Sequence, residues 1–283
     1  MRDYLELTKP NVTWLILMST AVGYCFGARG QWHFPLLLHT LLGTGLMASG
    51  TATLNEWYER EGDARMRRTR GRPIPSGRVT PRRALGFGIL LAALGFADLA
   101  LAANRVAAFC GLLTLACYLF VYTPLKRRTP HATTVGALPG AMPPLIGYVA
   151  ARGALTAEAW VLFAILFFWQ FPHFLSMAWM YREDYRRAGI AFLPVVQPDG
   201  RSTARQMLIG SVLLIPASVL PAYLSMAGRL YGIGALALGL GFLYATARVA
   251  IERTALRARG VLLASVIYLP SLYALMLVDR LWL

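Results

Sequence analysis

Cysteine and histidine are scarce in this 283-residue sequence, which has three cysteines and four histidines. No two cysteines form a C-x-x-C pair, and Cys25, Cys110 and Cys117 all lie within long apolar runs. This spacing argues against redox sites and against the ligand sets of structural zinc sites. We therefore expect the three cysteines to be small, buried apolar residues.

Charged residues are scarce as well. They make up 14% of the chain, whereas hydrophobic residues make up 57% and the mean hydropathy is +0.52. Soluble domains carry about 25% charged residues, so this composition predicts a membrane protein. Acidic residues are the rarer class, with 13 Asp and Glu against 28 Lys and Arg.

Nine apolar windows are each long enough to cross the roughly 30 Å hydrocarbon core of a bilayer. They cover residues 11–28, 35–57, 84–103, 105–123, 132–151, 158–180, 207–226, 230–250 and 260–279. No segment resembles a separate soluble domain, so we predict one all-α integral membrane domain over residues 1–283. The fifth window contains Pro139, Pro143 and Pro144. These prolines predict a kinked helix, which suggests a cavity wall, although packing alone would also explain it. The predicted architecture is a helix bundle around a central cavity that opens at the cytoplasmic side.

The basic residues are distributed unevenly between the two sides of the membrane. With the N-terminus inside, only five of the 28 fall on the outer side, namely Arg29, Arg105, Arg152, Arg229 and Arg280. The positive-inside rule therefore supports nine spans, with a cytoplasmic N-terminus and an outer C-terminus. The net charge of +15 is then mostly topological and does not indicate nucleic-acid binding. Attraction of anionic substrates and lipids to the basic face stays open.

The segment 54–81 follows the second window and is the most informative part of the chain. Asn55, Glu59 and Asp63 lie at i, i+4 and i+8, so on a continuing helix they form one stripe roughly 12 Å long. Five arginines follow: Arg65, Arg67, Arg68, Arg70 and Arg72. Divalent cations such as Mg²⁺ bind carboxylate and amide oxygens, and arginines bind phosphate oxygens. The segment therefore predicts a metal–diphosphate site; the alternative is a solvated loop that only fixes topology.

Other charged residues are predicted on the same cytoplasmic face. The loop 122–130 contains Lys126, and Asp184 follows the sixth window. Two acid clusters that face each other across a bundle would hold a metal–diphosphate from both sides. Lys9 is either an interfacial anchor or a phosphate contact. His173, inside the sixth window, is either functional or hydrogen-bonded to a neighbouring kinked helix such as the Pro143–Pro144 region.

Five segments together resemble the intramembrane prenyltransferase superfamily typified by UbiA. The resemblance is closest to its protoheme IX farnesyltransferase (heme O synthase) branch and covers nearly the whole chain. The segments are LTKPNVT at 7–13, LNEWYEREGDARMRRTRGRPIPSGRV at 54–79, YTPLKRRTP at 122–130, GALPGAMPPLIGY at 136–148 and WQFPHFLSMAWMYREDYRRAG at 169–189.

The resemblance implies a substrate pair and a set of site residues. Farnesyl diphosphate would bind through Mg²⁺ to four positions: Asn55, Glu59, Asp63 and Asp184. The diphosphate would be held by five basic residues: Lys126, Arg67, Arg68, Arg70 and Arg72. After the diphosphate leaves, the 2-vinyl group of heme b would attack the allylic cation, and addition of water would give heme O. Heme iron accepts a neutral imidazole, so His173 is a candidate heme ligand.

The same resemblance implies a multi-pass protein of the cell (inner) membrane. Whether a heme A synthase or the oxidase assembly machinery is a standing partner stays open. An aromatic-acid or quinone-precursor prenyltransferase on the same scaffold is the second interpretation, and the WQFPHF stretch argues against it. A transporter or a non-catalytic assembly factor is the third. A transporter more often has acids at mid-membrane, whereas the acids here crowd one face.

Overall fold

The computed structural model describes residues 1–280, and these residues contain helices and no β-strand. The α-helices are α1 Arg2–Leu7, α2 Pro10–Ala28, α3 Phe34–Arg65, α4 Pro81–Asp98, α5 Arg105–Ala116, α6 Thr123–Leu125, α7 Ala132–Gly140, α8 Met142–Arg152, α9 Ala157–Met180, α10 Arg182–Arg187, α11 Leu193–Val196, α12 Arg201–Tyr223, α13 Arg229–Ile251 and α14 Ala255–Arg280. Two π-helical segments, Leu99–Ala103 and Cys117–Tyr122, extend α4 and α5. The all-α prediction is confirmed.

Eight helical stretches within residues 1–280 are long and apolar enough to cross a membrane. They are Pro10–Ala28, Pro81–Ala103, Arg105–Leu125, Ala132–Arg152, Ala157–Met180, Arg201–Tyr223, Arg229–Ile251 and Ala255–Arg280. They correspond to eight of the nine predicted windows, and the chain is a multi-pass membrane protein.

The remaining predicted window, 35–57, lies within α3, which has 32 residues. At about 1.5 Å per residue this helix is roughly 48 Å long, which exceeds the hydrocarbon thickness. It is not one of the eight apolar stretches; glycines, hydroxyl side chains and His39 lower the hydropathy of its apolar part. The count of nine spans, and with it the orientation of the termini, stays a prediction.

Residues 1–280 divide into two compact units. The first comprises Met1–Arg128, Met142–Leu155 and Glu183–Ile190, and the second comprises Thr129–Ala141, Thr156–Arg182 and the described part of Ala191–Leu283. The predictions of a single domain and of a central cavity stay predictions.

Small residues let the helices of the first unit approach closely. Gly147 of α8 lies against the Thr20 carbonyl of α2, so close that a Cβ built there would be 1.8 Å from that oxygen. Gly50 of α3 lies against Gly88 of α4 in the same way. Small residues on α3 and α8 therefore permit close helix packing in this unit.

The predicted kink in the fifth window is confirmed as a helix break. Helix α7 ends at Gly140 and α8 begins at Met142. Pro143 and Pro144 occupy the first turn of α8, where a missing N–H leaves no helical hydrogen bond unmade.

In the second unit, α12 packs against α9 and α13, and α14 packs against α9 and α13. Helix α9 runs unbroken through Pro172, although prolines usually bend or end a helix. The buried side chain of Gln170 donates to the Ala137 carbonyl of α7 at 3.0 Å. Gly140 makes room for this amide, because a Cβ there would lie 2.0 Å from Gln170 Oε1.

Candidate active site

Asn55, Glu59 and Asp63 lie on one helix, as the sequence predicts, because α3 continues to Arg65. The Asn55 Nδ2 donates to Glu59 Oε2 at 2.9 Å and to Thr123 Oγ1 at 3.3 Å. Both bonds use the amide nitrogen, so neither engages the Asn55 carbonyl oxygen. The stripe therefore presents one amide oxygen and two carboxylates within the first compact unit.

Lys126 is the residue that follows α6, and its side chain contacts Glu59 in the middle of this stripe. Its Nζ donates to Glu59 Oε2 at 2.8 Å, and the residue is only 6% exposed. The same ammonium lies 4.6 Å from the ring centroid of Tyr122 and 6.0 Å from that of Tyr118. Burial lowers the pKa of Lys126, but the negative charge of Glu59 outweighs burial and raises the pKa above its usual value. Lys126 is therefore a firmly charged cation.

Arg72 occupies the far end of the stripe. Its Nη1 donates to Asp63 Oδ2 at 2.8 Å, and its Nε lies 3.6 Å from Glu56 Oε1. Burial lowers the pKa of Arg72, but Asp63 and Glu56 outweigh it and raise the pKa. The stripe is thus flanked by two partly buried cations, which can bind a diphosphate once they release their carboxylates.

Glu56 is a site residue that the sequence pattern missed. It follows Asn55 by one position, so it lies about 100° around the helix from the stripe. It is 2% exposed, and its Oε1 lies 3.6 Å from Lys9 Nζ as well as from Arg72. Its Oε2 is buried and has no hydrogen-bond partner within residues 1–280. A buried carboxylate oxygen without a donor is costly, so a ligand that satisfies it would be favoured.

Lys9 is the residue before α2, and its side chain lies beside Glu56. It has a left-handed backbone, with φ 48° and ψ 60°, which is uncommon for a residue with a side chain. Burial lowers the pKa of Lys9, and the positive charge of Arg72 lowers it further, to about 8. Of these three cations, Lys9 is therefore the one whose pKa lies nearest to neutral pH.

Asp184, the predicted second acid, contacts the arginine-rich loop. Its Oδ1 accepts from the backbone N–H of Arg67 at 3.3 Å, and its Oδ2 accepts from that of Arg68 at 3.4 Å. Arg187 Nη1 lies 3.7 Å from Asp184 Oδ1. In this structure Asp184 fixes the loop that follows α3.

The predicted arginines have different environments. Arg72 contacts the acid stripe through Asp63. Arg67 and Arg68 use their backbone amides on Asp184, and Arg68 Nη2 also donates to the Tyr185 hydroxyl at 3.2 Å. Arg70 is exposed on the loop. The loop thus has exposed arginines on its surface, whereas the guanidinium of Arg72 is bonded to Asp63 in the site.

The donor set suits Mg²⁺, although the structure does not gather it into one cluster. In the part of the chain that the structure describes, no three His, Cys, Asp or Glu side chains lie close enough to hold a metal ion. Glu59 and Asp63 are each bonded to a cation, while Glu56 has an unpaired oxygen. Amide and carboxylate oxygens are the ligands that Mg²⁺ prefers, and it often shares them with substrate phosphates. The residues fit the ion provided that Lys126 and Arg72 move to a diphosphate.

His173 lies in the second unit, on α9. Its Nδ1 lies 2.7 Å from the Ser265 hydroxyl of α14, and its ring stacks on Trp169 with centroids 4.5 Å apart. The expected hydrogen bond therefore goes to α14 and not to the Pro143–Pro144 region.

The structure thus combines apolar helices long enough to cross a membrane with amide and carboxylate oxygens beside buried cations. The chain belongs to the UbiA prenyltransferase family, whose model matches residues 16–269. It is a multi-pass membrane prenyltransferase. Its similarity to the protoheme IX farnesyltransferase of Solibacter usitatus reaches 63% identity over 99% of both chains. The protoheme IX farnesyltransferase of Salinibacter ruber is 50% identical over 98% of both chains. The resemblance found in the sequence is confirmed.

Solved structures confirm the fold. A digeranylgeranylglyceryl phosphate synthase superposes with a TM-score of 0.83 over 100% of this chain and 99% of that one, at 20% identity. A UbiA homolog from Archaeoglobus fulgidus bound to GPP and Mg²⁺ superposes with a TM-score of 0.72 over 97% and 99%, also at 20% identity. At this level of identity the likeness establishes a common fold.

Proposed function

We propose that the chain transfers the farnesyl group of farnesyl diphosphate to the 2-vinyl group of heme b. Water addition then gives heme O, and diphosphate is released. Full-length similarity to proteins named protoheme IX farnesyltransferase supports this proposal. The observation that carries it is the stripe of Asn55, Glu59 and Asp63 with Lys126 and Arg72 bonded to it.

The reaction begins with cleavage of the bond between C1 of the farnesyl group and the diphosphate oxygen. The electron pair leaves with the diphosphate, and an allylic cation remains. The π electrons of the vinyl group form the new C–C bond and move the positive charge to the carbon beside the porphyrin. Water adds to that carbon and loses a proton. The protein must therefore stabilise the leaving group and keep water away until the C–C bond has formed.

Basic side chains of this protein would stabilise the negative charge of the leaving diphosphate. Lys126 and Arg72 are held within reach of the stripe and would exchange their carboxylates for diphosphate oxygens. Lys9 would contribute a third positive charge beside Glu56. Arg67, Arg68 and Arg70 would attract and cover the diphosphate from the loop.

We assign the Mg²⁺ ligands to Asn55, Glu59, Asp63 and Asp184. The ion would supply Lewis-acid stabilisation of the charge that develops on the leaving diphosphate. Similarity to a homolog bound to GPP and Mg²⁺ supports the cofactor. The amide and carboxylate oxygens of the stripe support its place in this chain.

We also propose that His173 binds the heme iron and that the protein lies in the cell inner membrane. The N-terminus would be cytoplasmic and the C-terminus outside, because this orientation leaves most basic residues inside. Association with a heme A synthase or with the oxidase assembly machinery stays a prediction.

The test is a reaction with the purified protein in lipid nanodiscs. It contains heme b, farnesyl diphosphate and MgCl2, and the product is identified by liquid chromatography and mass spectrometry. We expect a heme whose mass has increased by one farnesyl group and one hydroxyl group, with loss of activity in EDTA and recovery on addition of Mg²⁺. A parallel reaction replaces heme b with 4-hydroxybenzoate. Prenylation of that acid without any heme product would identify an aromatic prenyltransferase and reject the proposal.

A further inference from the structure

Trp169 and His173 lie four residues apart on α9 and therefore on one face of the helix. The Trp169 indole N–H donates to the Ser265 backbone carbonyl at 2.9 Å, while His173 Nδ1 contacts the Ser265 hydroxyl at 2.7 Å. The two rings are nearly parallel, with an interplanar angle of 19°. One residue of α14 thus fixes both side chains, and the stacking limits rotation of the imidazole.

The Ser265 hydroxyl determines which histidine nitrogen carries the proton. Its only hydrogen is donated to the Leu262 carbonyl at 2.6 Å. With that hydrogen bond made, the hydroxyl is left to accept from His173, and the hydrogen-bond network assigns the proton to Nδ1. A neutral imidazole with its proton on Nδ1 has its lone pair on Nε2, the atom available to a metal.

Among the described residues, no hydrogen bond engages the Nε2 atom of His173. Within residues 1–280, His173 makes its hydrogen bond through Nδ1, and the residue is partly exposed. The adjacent polar side chain, Gln170, is occupied by the Ala137 and Leu166 carbonyls. The arrangement resembles metal-binding histidines in general, whose second nitrogen donates to a protein oxygen that fixes tautomer and ring orientation.

We propose that Ser265 and Trp169 are positioning residues that hold His173 with Nε2 directed to the iron of the heme substrate. Ser265 selects the tautomer, and Trp169 fixes the plane of the ring. This inference rests on the proposed function in taking heme as the substrate. It goes further in naming one residue of α9 and one of α14 that orient the heme ligand.

The test compares heme binding by the full-length protein in nanodiscs for wild type, His173→Ala, Ser265→Ala and Trp169→Phe. Loss of a metal ligand's hydrogen-bond partner typically weakens metal affinity by about 10- to 100-fold. We expect Ser265→Ala to raise the Kd for heme by about tenfold and to shift the Soret band toward that of His173→Ala. Trp169→Phe, which keeps the stacking but loses the N–H, should have a smaller effect. The Kd for farnesyl diphosphate should not change in any of them.

Two further variants separate positioning from a structural role. Ser211→Ala is the matched control, because Ser211 is also buried on a neighbouring helix and its hydroxyl has no partner within the described residues. It should bind heme as wild type does. In the double variant His173→Ala/Ser265→Ala, loss of Ser265 should add nothing to loss of His173. An additive effect, or an unchanged Soret band in Ser265→Ala, overturns the inference.

The inference and the proposed function can fail separately. If wild type forms the farnesylated heme but His173→Ala has the same heme spectrum, the positioning inference is wrong and the function stands. If wild type shows a His173-dependent spectrum but forms no farnesylated heme, the positioning inference stands and the function is wrong.

Discussion

Glu59 and Glu61 lie two positions apart on α3 but have opposite environments. Glu59 is mostly buried and bonded to Lys126 and Asn55, whereas the Glu61 side chain is 73% exposed beside Arg60. Because a metal ligand contributes several kcal/mol of charge stabilisation, Glu59→Gln should lower kcat/KM for farnesyl diphosphate by at least about 100-fold. Glu61→Gln, the matched control, should remain within about twofold.

The measurement is the rate of farnesyl transfer over a series of Mg²⁺ concentrations. Glu59→Gln should require more Mg²⁺ if the carboxylate binds the ion. Equal Mg²⁺ dependence in the two variants would show that Glu59 is not a ligand. Circular dichroism checks that the loss of activity does not come from unfolding after Lys126 loses its partner.

Lys9 gives the site a pH dependence. Its pKa is lowered to about 8, first by burial and then by the charge of Arg72, so Lys9 is charged below pH 8 and neutral above it. Since kcat/KM follows the free enzyme, its value for farnesyl diphosphate should fall as the pH rises through about 8. Lys9→Arg keeps its charge throughout and should remove this fall. The check is a pair of pH profiles; the same alkaline limb in both proteins would exclude Lys9 as its source.

At the scale of secondary-structure elements, Asp184 joins α10 to the loop after α3. Its carboxylate accepts two backbone N–H bonds, from Arg67 and Arg68. Asp184→Asn loses the charge that strengthens both bonds, so the loop should open more often and trypsin should cleave at its arginines several-fold faster. Glu183→Gln is the control, since among residues 1–280 Glu183 pairs with Arg186 on the surface. Equal cleavage rates for the two variants would show that Asp184 does not hold the loop.

Packing between α2 and α8 should also be sensitive to one methyl group. A Cβ on Gly147 would lie 1.8 Å from the Thr20 carbonyl oxygen, so Gly147→Ala must push the helices apart. Overpacking of this kind costs about 1–3 kcal/mol, and thermal unfolding in detergent should show a lower Tm. Gly86→Ala on α4 has open space around it and should raise the Tm slightly through helix propensity. A Tm for Gly147→Ala at or above wild type would contradict this packing.

At the scale of the whole molecule, we predict that α3 crosses the membrane. If it does, exposed Gln31 before it and exposed Ser76 after it lie on opposite sides. In a cysteine-free background, Gln31→Cys should react with an impermeant maleimide added outside intact cells, and Ser76→Cys should react only after lysis. Labelling of both residues from the same side would mean that α3 does not span and would move the termini to one side.

Most of the membrane helices, and the stripe of Asn55, Glu59 and Asp63, could be predicted from local sequence. Apolar runs as long as a bilayer is thick predict membrane helices, whatever their neighbours are. The i, i+4 and i+8 spacing of Asn55, Glu59 and Asp63 places them on one stripe because helix geometry is fixed. The five family-like segments, which the full-length relatives confirm, indicated the enzyme class without any tertiary information.

The tertiary structure alone decided which side chains meet across helices. Glu56 lies off the predicted stripe, yet the packing buries it between Lys9 and Arg72. His173 bonds to Ser265, 92 residues away, and not to the proline-rich region that the sequence suggested. Such pairs depend on the rotation and axial shift of each helix against its neighbours. The rotation and shift of a helix depend on many packed side chains together. The spacing of residues along one helix depends only on the regular backbone geometry.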